Sequence, residues 1–239
     1  MDNEPQVERV LVVTAHPDDV DFGAAGSIAT WVSQGIEVSY CIVTNGDAGG
    51  FDPEVPRADI AGIRQAEQRA AAAAVGVTDV TFLGYPDGAL YVTHELRRDI
   101  SREIRRVRPQ RVVSQSPERN FERIYASHPD HLAAGEATIR AVYPDARNPY
   151  AHLSLAEEGF DAWTVGEVWI MGGGAGASTF VDITEAIDKK VDALRCHVSQ
   201  VEHFEDLDGF LRQWAAGSAK SAGWEEGRLA EGFRVVNTA

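Results

Sequence analysis

The amino-acid sequence predicts an α/β fold: a Rossmann-like, doubly wound and mainly parallel sheet in a single domain. Valine-rich runs of strand length, apolar on both faces, alternate with segments whose apolar residues recur at helical spacing, which is the signature of βαβ units. The 239 residues suffice for one large core, with 44% hydrophobic and 25% charged residues. Neither an internal repeat nor a low-complexity linker calls for a second domain.

Residues 7–13 form the first apolar run and end at a polar turn. Residues 22–34 read as a helix, and 37–44 as a β-rich run closed by Asn45-Gly46. An alanine-rich helix over 63–75, capped by Gly76, precedes a short strand at 80–83. Thr93 is a good N-cap for a helix reaching residue 107, and Pro109 stops it ahead of a fourth strand at 111–115. After a loop over 116–129, a helix is expected at 131–142, ended by Pro144, and a fifth strand at 167–171. Beyond Gly172 the pattern weakens to an amphipathic helix at 184–200, opened by Asp182 and Glu185 as a capping pair, and another at 209–223. The expected organisation is an α/β core over 1–171 with helical and extended elements of 172–239 packed on it.

Composition narrows the function. No apolar run approaches the roughly 18 residues of a membrane span. Residues 1–6 lack the basic and apolar regions of a secretory signal, so a cytoplasmic location is expected. Cys41 and Cys196 read as free thiols, which suits a reducing compartment. A net charge of −15 opposes nucleic acid and anionic lipid, and the one basic cluster, residues 97–111, reads as a helix face.

Chemistry concentrates in two clusters. The first strand runs into Ala15-His16-Pro17-Asp18-Asp19, and the loop after the fourth ends in Ser127-His128-Pro129-Asp130-His131. If strand order reverses after the first strand, the first and fourth are neighbours and both clusters meet beyond their carboxyl ends. Imidazole with carboxylate is the donor mix expected for zinc, whose catalytic sites use three protein ligands and keep one position for water. His-Pro-Asp-Asp alone is equally a helix start, with Pro in the first turn and Asp on free N–H groups; the second cluster shifts the weight to chemistry. A dinucleotide site is disfavoured because the turn after the first strand is acidic, not glycine-rich. The glycines of 172–176 follow a late strand and read as a flexible loop with a weak claim on substrate.

At these residues the sequence resembles the zinc-dependent de-N-acetylases named for N-acetylglucosaminyl-phosphatidylinositol deacetylase, the PIG-L or LmbE-like family. A-H-P-D-D is intact at 15–19 and H-x-D-H at 128–131, with weaker agreement at Arg64, Glu67, Tyr85-Pro86-Asp87-Gly88 and His197-Val198-Ser199-Gln200. The resemblance implies a metal-dependent amidohydrolase in which His16, Asp19 and His131 hold one Zn²⁺, with Fe²⁺ tolerated by the same donors, and Asp18 is the general base. It places His128 opposite, oriented by Asp130, as a protonated partner of the oxyanion. Arg64 and Asp87 match positions that contact sugar hydroxyls, and Tyr125 is a candidate oxyanion donor. His94, His152, His197 and His203 have no matched metal partner.

The implied substrate is a small molecule or glycoconjugate containing N-acetylglucosamine, which loses an acyl group, foremost acetyl, from nitrogen. Thiol conjugates and glycosylated natural products are alternatives. A non-catalytic metal- or carbohydrate-binding protein is the alternative of another class, and the intact Asp18 counts against it. Specificity is expected in the loops 45–59, 116–127 and 148–163, the last carrying Trp163 as a sugar platform or as core. The resemblance also implies a homo-oligomer, a trimer or hexamer; Phe210, Trp214, Trp224 and Phe233 are candidates for its interface or for packing on their own domain.

Overall fold

The computed structural model describes residues 7–122, 124–172 and 176–238. Seven strands form one sheet: β1 (Arg9–Thr14), β2 (Glu37–Thr44), β3 (Asp79–Tyr85), β4 (Arg111–Ser114), β5 (Glu167–Met171), β6 (Thr179–Asp182) and β7 (Ala230–Asn237). Their order is β3-β2-β1-β4-β5-β7-β6, parallel from β3 to β5, with β7 antiparallel to both of its neighbours. The helices are α1 (Asp19–Ser33), α2 (Arg57–Ala74), α3 (His94–Val107), α4 (Pro129–Arg140), α5 (Leu153–Glu157), α6 (Ile187–Arg195), α7 (Val198–Val201) and α8 (Leu207–Ser221).

β1 shows why the strands read as unbroken apolar runs. Val10 and Val12 face a core shared with Ile28 of α1, Ala71 of α2 and Ile187 of α6. Leu11 and Val13 face the other core, with Leu96 and Ile100 of α3 and Ala134 of α4. A strand covered by helices on both sides has no solvent face and so no polar alternation.

Local signals place several boundaries. Thr93 Oγ1 accepts the Leu96 N–H at 3.1 Å and opens α3 as expected of an N-cap. α2 begins at Arg57, ahead of the expected start at Ile63, because Gly62 interrupts the alanine-rich pattern without breaking the helix. The helix expected over 184–200 is two, α6 and α7, separated at Cys196 and His197. Asp182 caps neither; it ends β6, and its carboxylate accepts the Thr184 N–H and hydroxyl in a turn.

β6 and β7 escaped the sequence pattern. β7 buries Glu231, whose carboxylate accepts from Lys190 at 2.5 Å and from the Gly26 and Ser27 amides of α1, so a charged residue sits where a strand pattern needs an apolar one. Phe233 of β7 is fully buried against Trp31 and Trp169 and is therefore core, not interface. No helix among the described residues is long and apolar enough to cross a membrane.

The loop 148–163 packs along α3, from His94 at its start, whose ring meets that of His152, to its last turn. Buried Arg105, in the last turn of α3, donates to the carbonyls of Asp145, Ala146, Asn148, Ala151 and Phe160. Trp163 Nε1 donates to the Pro109 carbonyl just before β4 begins, at 2.7 Å. The last tie holds Trp163 at the amino edge of the sheet, so Trp163 cannot shape a crevice at the opposite edge.

Asp145 anchors the same segment, taking Arg97 Nε and Nη2 at 2.9 and 2.6 Å and His152 Nε2 at 3.1 Å. Burial by itself would raise its carboxyl, but Arg97 and His152 outweigh burial and hold it below the usual value. A lowered folded pKa contributes stability that is complete above the unfolded value and lost as pH falls through the folded one. Asp145→Asn is expected to cost about 2 kcal/mol at pH 7. Urea unfolding of variant and parent should show that difference closing only below pH 3.8, the ordinary aspartate value.

Candidate metal centre and active site

The two sequence clusters meet because β1 and β4 are parallel neighbours in register, Val13 opposite Ser114. Ser114 Oγ donates to the Val13 carbonyl at 2.9 Å, and Gln115 Oε1 accepts the Ala15 N–H at 2.8 Å. Both chains thus leave the sheet side by side where strand order reverses, the usual crevice of a doubly wound sheet. One enters α1 through His16–Asp19; the other enters α4 with Pro129 in its first turn.

His16 is the hub. Its Nδ1 lies 3.2 Å from Asp19 Oδ2 and 3.2 Å from His131 Nε2, and His131 Nε2 lies 3.0 Å from Asp19 Oδ1. Ligand atoms at about 2.0–2.1 Å from a tetrahedral Zn²⁺ are about 3.3 Å apart, so these three donors have nearly the spacing such an ion requires. His16 Nε2 faces the other way, 3.1 Å from Asp87 Oδ1 and 3.2 Å from Asp130 Oδ2. Among the described residues, the groups His16, His128, His131 and His16, Asp87, Asp130 could each hold a metal ion.

The two sides of the His16 ring differ in chemistry. Asp130 Oδ2 already accepts the Gly88 N–H at 2.7 Å, and Oδ1 accepts that of Leu90 at 3.2 Å. A carboxylate held by backbone donors is a natural acceptor for an imidazole N–H, which holds Nε2 as a donor and turns Nδ1 toward Asp19 and His131. Burial would lower the His16 pKa, but Asp19, Asp130 and Asp87 outweigh it and push it up to about 12. The same pairing, through His131 and His16, holds Asp19 well below the usual carboxylate range against its own burial. The surrounding carboxylates favour positive charge at this point, a demand that a divalent ion meets.

Asp18 stands beside this group in an unusual backbone conformation, φ 89° and ψ −31°. A non-glycine residue there costs on the order of 1–3 kcal/mol. Its N–H donates to Gln68 Oε1 at 2.8 Å, and its Oδ2 lies 3.2 Å from Arg64 Nη2. Burial pushes its carboxyl up to about 6, against the pull of Arg64. Arg64 also donates to the carbonyls of Pro17 and Gly46 and lies 3.6 Å from Asp87. This close approach explains a glycine signal: a Cβ at Gly49 would collide with the Arg64 guanidinium.

Two expectations change. Asp130 orients His16, not the His128 ring; only its backbone N–H reaches His128, donating to Nδ1 at 3.2 Å. His128 is not favoured as an imidazolium, because burial and the neighbouring imidazoles of His16 and His131 lower its pKa. With Nδ1 accepting, its neutral form presents Nε2–H as a donor. Arg64 is 4% exposed and Asp87 is tied to both His16 and Arg64, so both brace the crevice wall. Tyr125 lies on a 3₁₀ turn, Ile124–Ser127, and its side chain falls outside the described residues, as do residues 173–175 of the glycine loop.

Three polar residues around the site were not singled out for it from the sequence: Gln68, Asp21 and His197, all fully buried. Gln68 follows Arg64 by one helical turn and so shares its face, a spacing that could have found it. Asp21 looks like an ordinary first-turn acid, and only the chain fold brings His197 to it.

Residues 11–142 match the family model described as PIG-L, GlcNAc-PI de-N-acetylase. The chain belongs to this family. A diacetylchitobiose deacetylase of Thermococcus kodakarensis is 34% identical over 98% of this chain and 86% of its own length. A probable N-acetyl-alpha-D-glucosaminyl L-malate deacetylase 2 of Bacillus cereus is 33% identical over 89% of this chain and 93% of its own. The structure of N,N'-diacetylchitobiose deacetylase from Pyrococcus horikoshii, complexed with its inhibitor MPG, superposes with a TM-score of 0.88 at 28% identity, covering 97% of this chain and 85% of that one. These PIG-L relatives extend the likeness beyond the matched segment, through the late strands β6 and β7.

The carboxylate behind His16 gives a test that does not depend on turnover. Replacing an outer-shell carboxylate typically weakens metal affinity about 10–100-fold. Asp130→Ala is expected to show that loss in competition with a chromophoric chelator.

Proposed function

We propose that this chain is a zinc-dependent hydrolase that removes an acetyl group from the nitrogen of a small molecule or glycoconjugate containing N-acetylglucosamine. One observation carries the reading: His16 Nδ1, His131 Nε2 and the Asp19 carboxylate converge within 3.0–3.2 Å of one another next to the raised carboxyl of Asp18. The relatives named as deacetylases of diacetylchitobiose and of a glucosaminyl malate support the substrate class. The free thiols Cys41 and Cys196 support a reducing, cytoplasmic setting.

In this reading His16, Asp19 and His131 would hold Zn²⁺, which would supply Lewis acidity and lower the pKa of water. Asp18 takes the proton of the attacking water; a carboxyl near 6 is well matched to that task at neutral pH. Neutral His128 donates its Nε2–H to the oxyanion that forms on the amide carbonyl. Asp18 then returns the proton to the departing amine. Asp130 and Arg64 act through others, the first aiming His16 and the second holding Asp18. A purely metal-binding or sugar-binding protein has no use for a carboxyl kept in strained backbone and raised by burial.

The purified protein is expected to contain about one zinc per chain and to release amine from a panel of N-acetylglucosaminides, losing activity to a chelator and regaining it with zinc. Bound zinc with no release across the panel would move the substrate away from this class, and no metal binding at all would end the reading. Asp18→Asn is expected to keep its zinc while kcat falls by about 10²–10⁴.

A further inference from the structure

Behind Asp18 a buried chain of hydrogen bonds runs away from the crevice and has no part in the mechanism above. Gln68 Oε1 accepts the Asp18 N–H at 2.8 Å, while its Nε2 donates to Asp21 Oδ2 at 2.7 Å. His197 Nε2 meets the same Asp21 oxygen at 2.8 Å. Asp21 and His197 have fully buried side chains. The amide of Gln68 can therefore sit only one way round: its NH₂ must face the carboxylate, so its oxygen must face Asp18.

The far end of the chain is itself held. Glu67, adjacent to Gln68 on α2, accepts the Ser199 N–H and hydroxyl at 2.8 and 2.7 Å, which seats the start of α7 and with it His197. One face of α2 thus binds both ends of the arrangement, with Arg64 on the Asp18 carboxylate and Gln68 on the Asp18 amide.

We infer that Gln68 is a positioning residue for Asp18, and that Asp21 and His197 set its orientation, so that the C-terminal segment governs how well the base is aimed. The inference rests on the deacetylase reading above. Asp18 sits at φ 89°, a conformation that a non-glycine residue keeps only when its surroundings impose it. Among the described residues Gln68 supplies the one hydrogen bond that the Asp18 N–H makes, while Arg64 holds the carboxylate and the Pro17 carbonyl on the opposite side of the same peptide. Without Gln68 the N–H side of this peptide loses its anchor and only Arg64, on the Pro17 carbonyl, opposes its tilt toward ordinary φ, which carries the carboxylate off its line to the attacking water. A shift of about 1 Å at a reacting group can cost about 100-fold in rate.

The test compares Gln68→Met, Asp21→Ala, Asp21→Asn and His197→Leu with the parent, all loaded with metal. Gln68→Met is expected to lower kcat by about 10–100-fold with KM changed less than about threefold. Zinc content and the visible spectrum of the cobalt-substituted protein should stay those of the parent, and the Asp18 amide should exchange its hydrogen faster by mass spectrometry. Asp21→Ala and His197→Leu should follow in the same direction. Asp21→Asn, which keeps an accepting oxygen for Gln68, should recover most of the Asp21→Ala loss. A Gln68→Met protein with unchanged kcat and unchanged Asp18 exchange overturns the inference; so does one whose kcat falls only in step with lost metal or altered cobalt spectrum. If Gln68→Met does not fold, the Asp21 pair decides: equal losses for Ala and Asn overturn it. A parent protein that releases no amine refutes the deacetylase reading, and the Asp18 exchange rates then still decide whether Gln68 holds Asp18.

Discussion

Everything in the crevice is arranged around the two nitrogens of one imidazole. His16 gives Nε2 to a carboxylate that backbone amides hold in place, and this leaves Nδ1 as the nitrogen facing Asp19 and His131. If that outer hydrogen bond were absent, the ring could take either tautomer and either orientation, and the cluster would lose its direction. The Asp130 carboxylate can serve only because the turn after β3 delivers the Gly88 and Leu90 amides to it. A third strand, not just the two that carry the motifs, is therefore part of the candidate metal centre.

The site concentrates groups that ordinary folding avoids: buried carboxylates, clustered imidazoles and an aspartate with positive φ. Each is made tolerable by a specific partner. Arg64 and His16 offset the buried Asp18 charge, as His131 and His16 do for Asp19. Gln68 satisfies the amide of a strained peptide. The surrounding sheet, apolar on both faces, supplies the stability that such an arrangement consumes.

The C-terminal third is more than a covering layer. β7 enters the sheet between β5 and β6, Glu231 joins it to α1 and α6 through Lys190, and α6 leads to His197 behind Asp18. The helix that begins at the His16–Asp19 turn is gripped along its buried side by residues from the end of the chain, so the geometry of the turn depends on a segment remote in sequence.

Much was legible beforehand. The strand-and-helix alternation, the two motifs at His16–Asp19 and His128–His131 and the resemblance to the PIG-L family all follow from local patterns, because apolar periodicity and short motifs are properties of neighbouring residues; the reversal of order after β1, on which the meeting of the motifs depends, was a supposition that the sheet bears out. What the sequence by itself determined was which donors are present and on which loops they lie. Only the tertiary structure decided their partners. Asp130 turned out to serve His16 instead of its own neighbour His128, Arg64 to brace Asp18, and Trp163 to sit at the far edge of the sheet. β7 was hidden because its buried Glu231 is neutralised by Lys190, a residue of α6. Hydrogen bonds and ion pairs between distant segments leave no periodic trace in sequence, since a polar residue looks the same there whether its partner is water or another buried group.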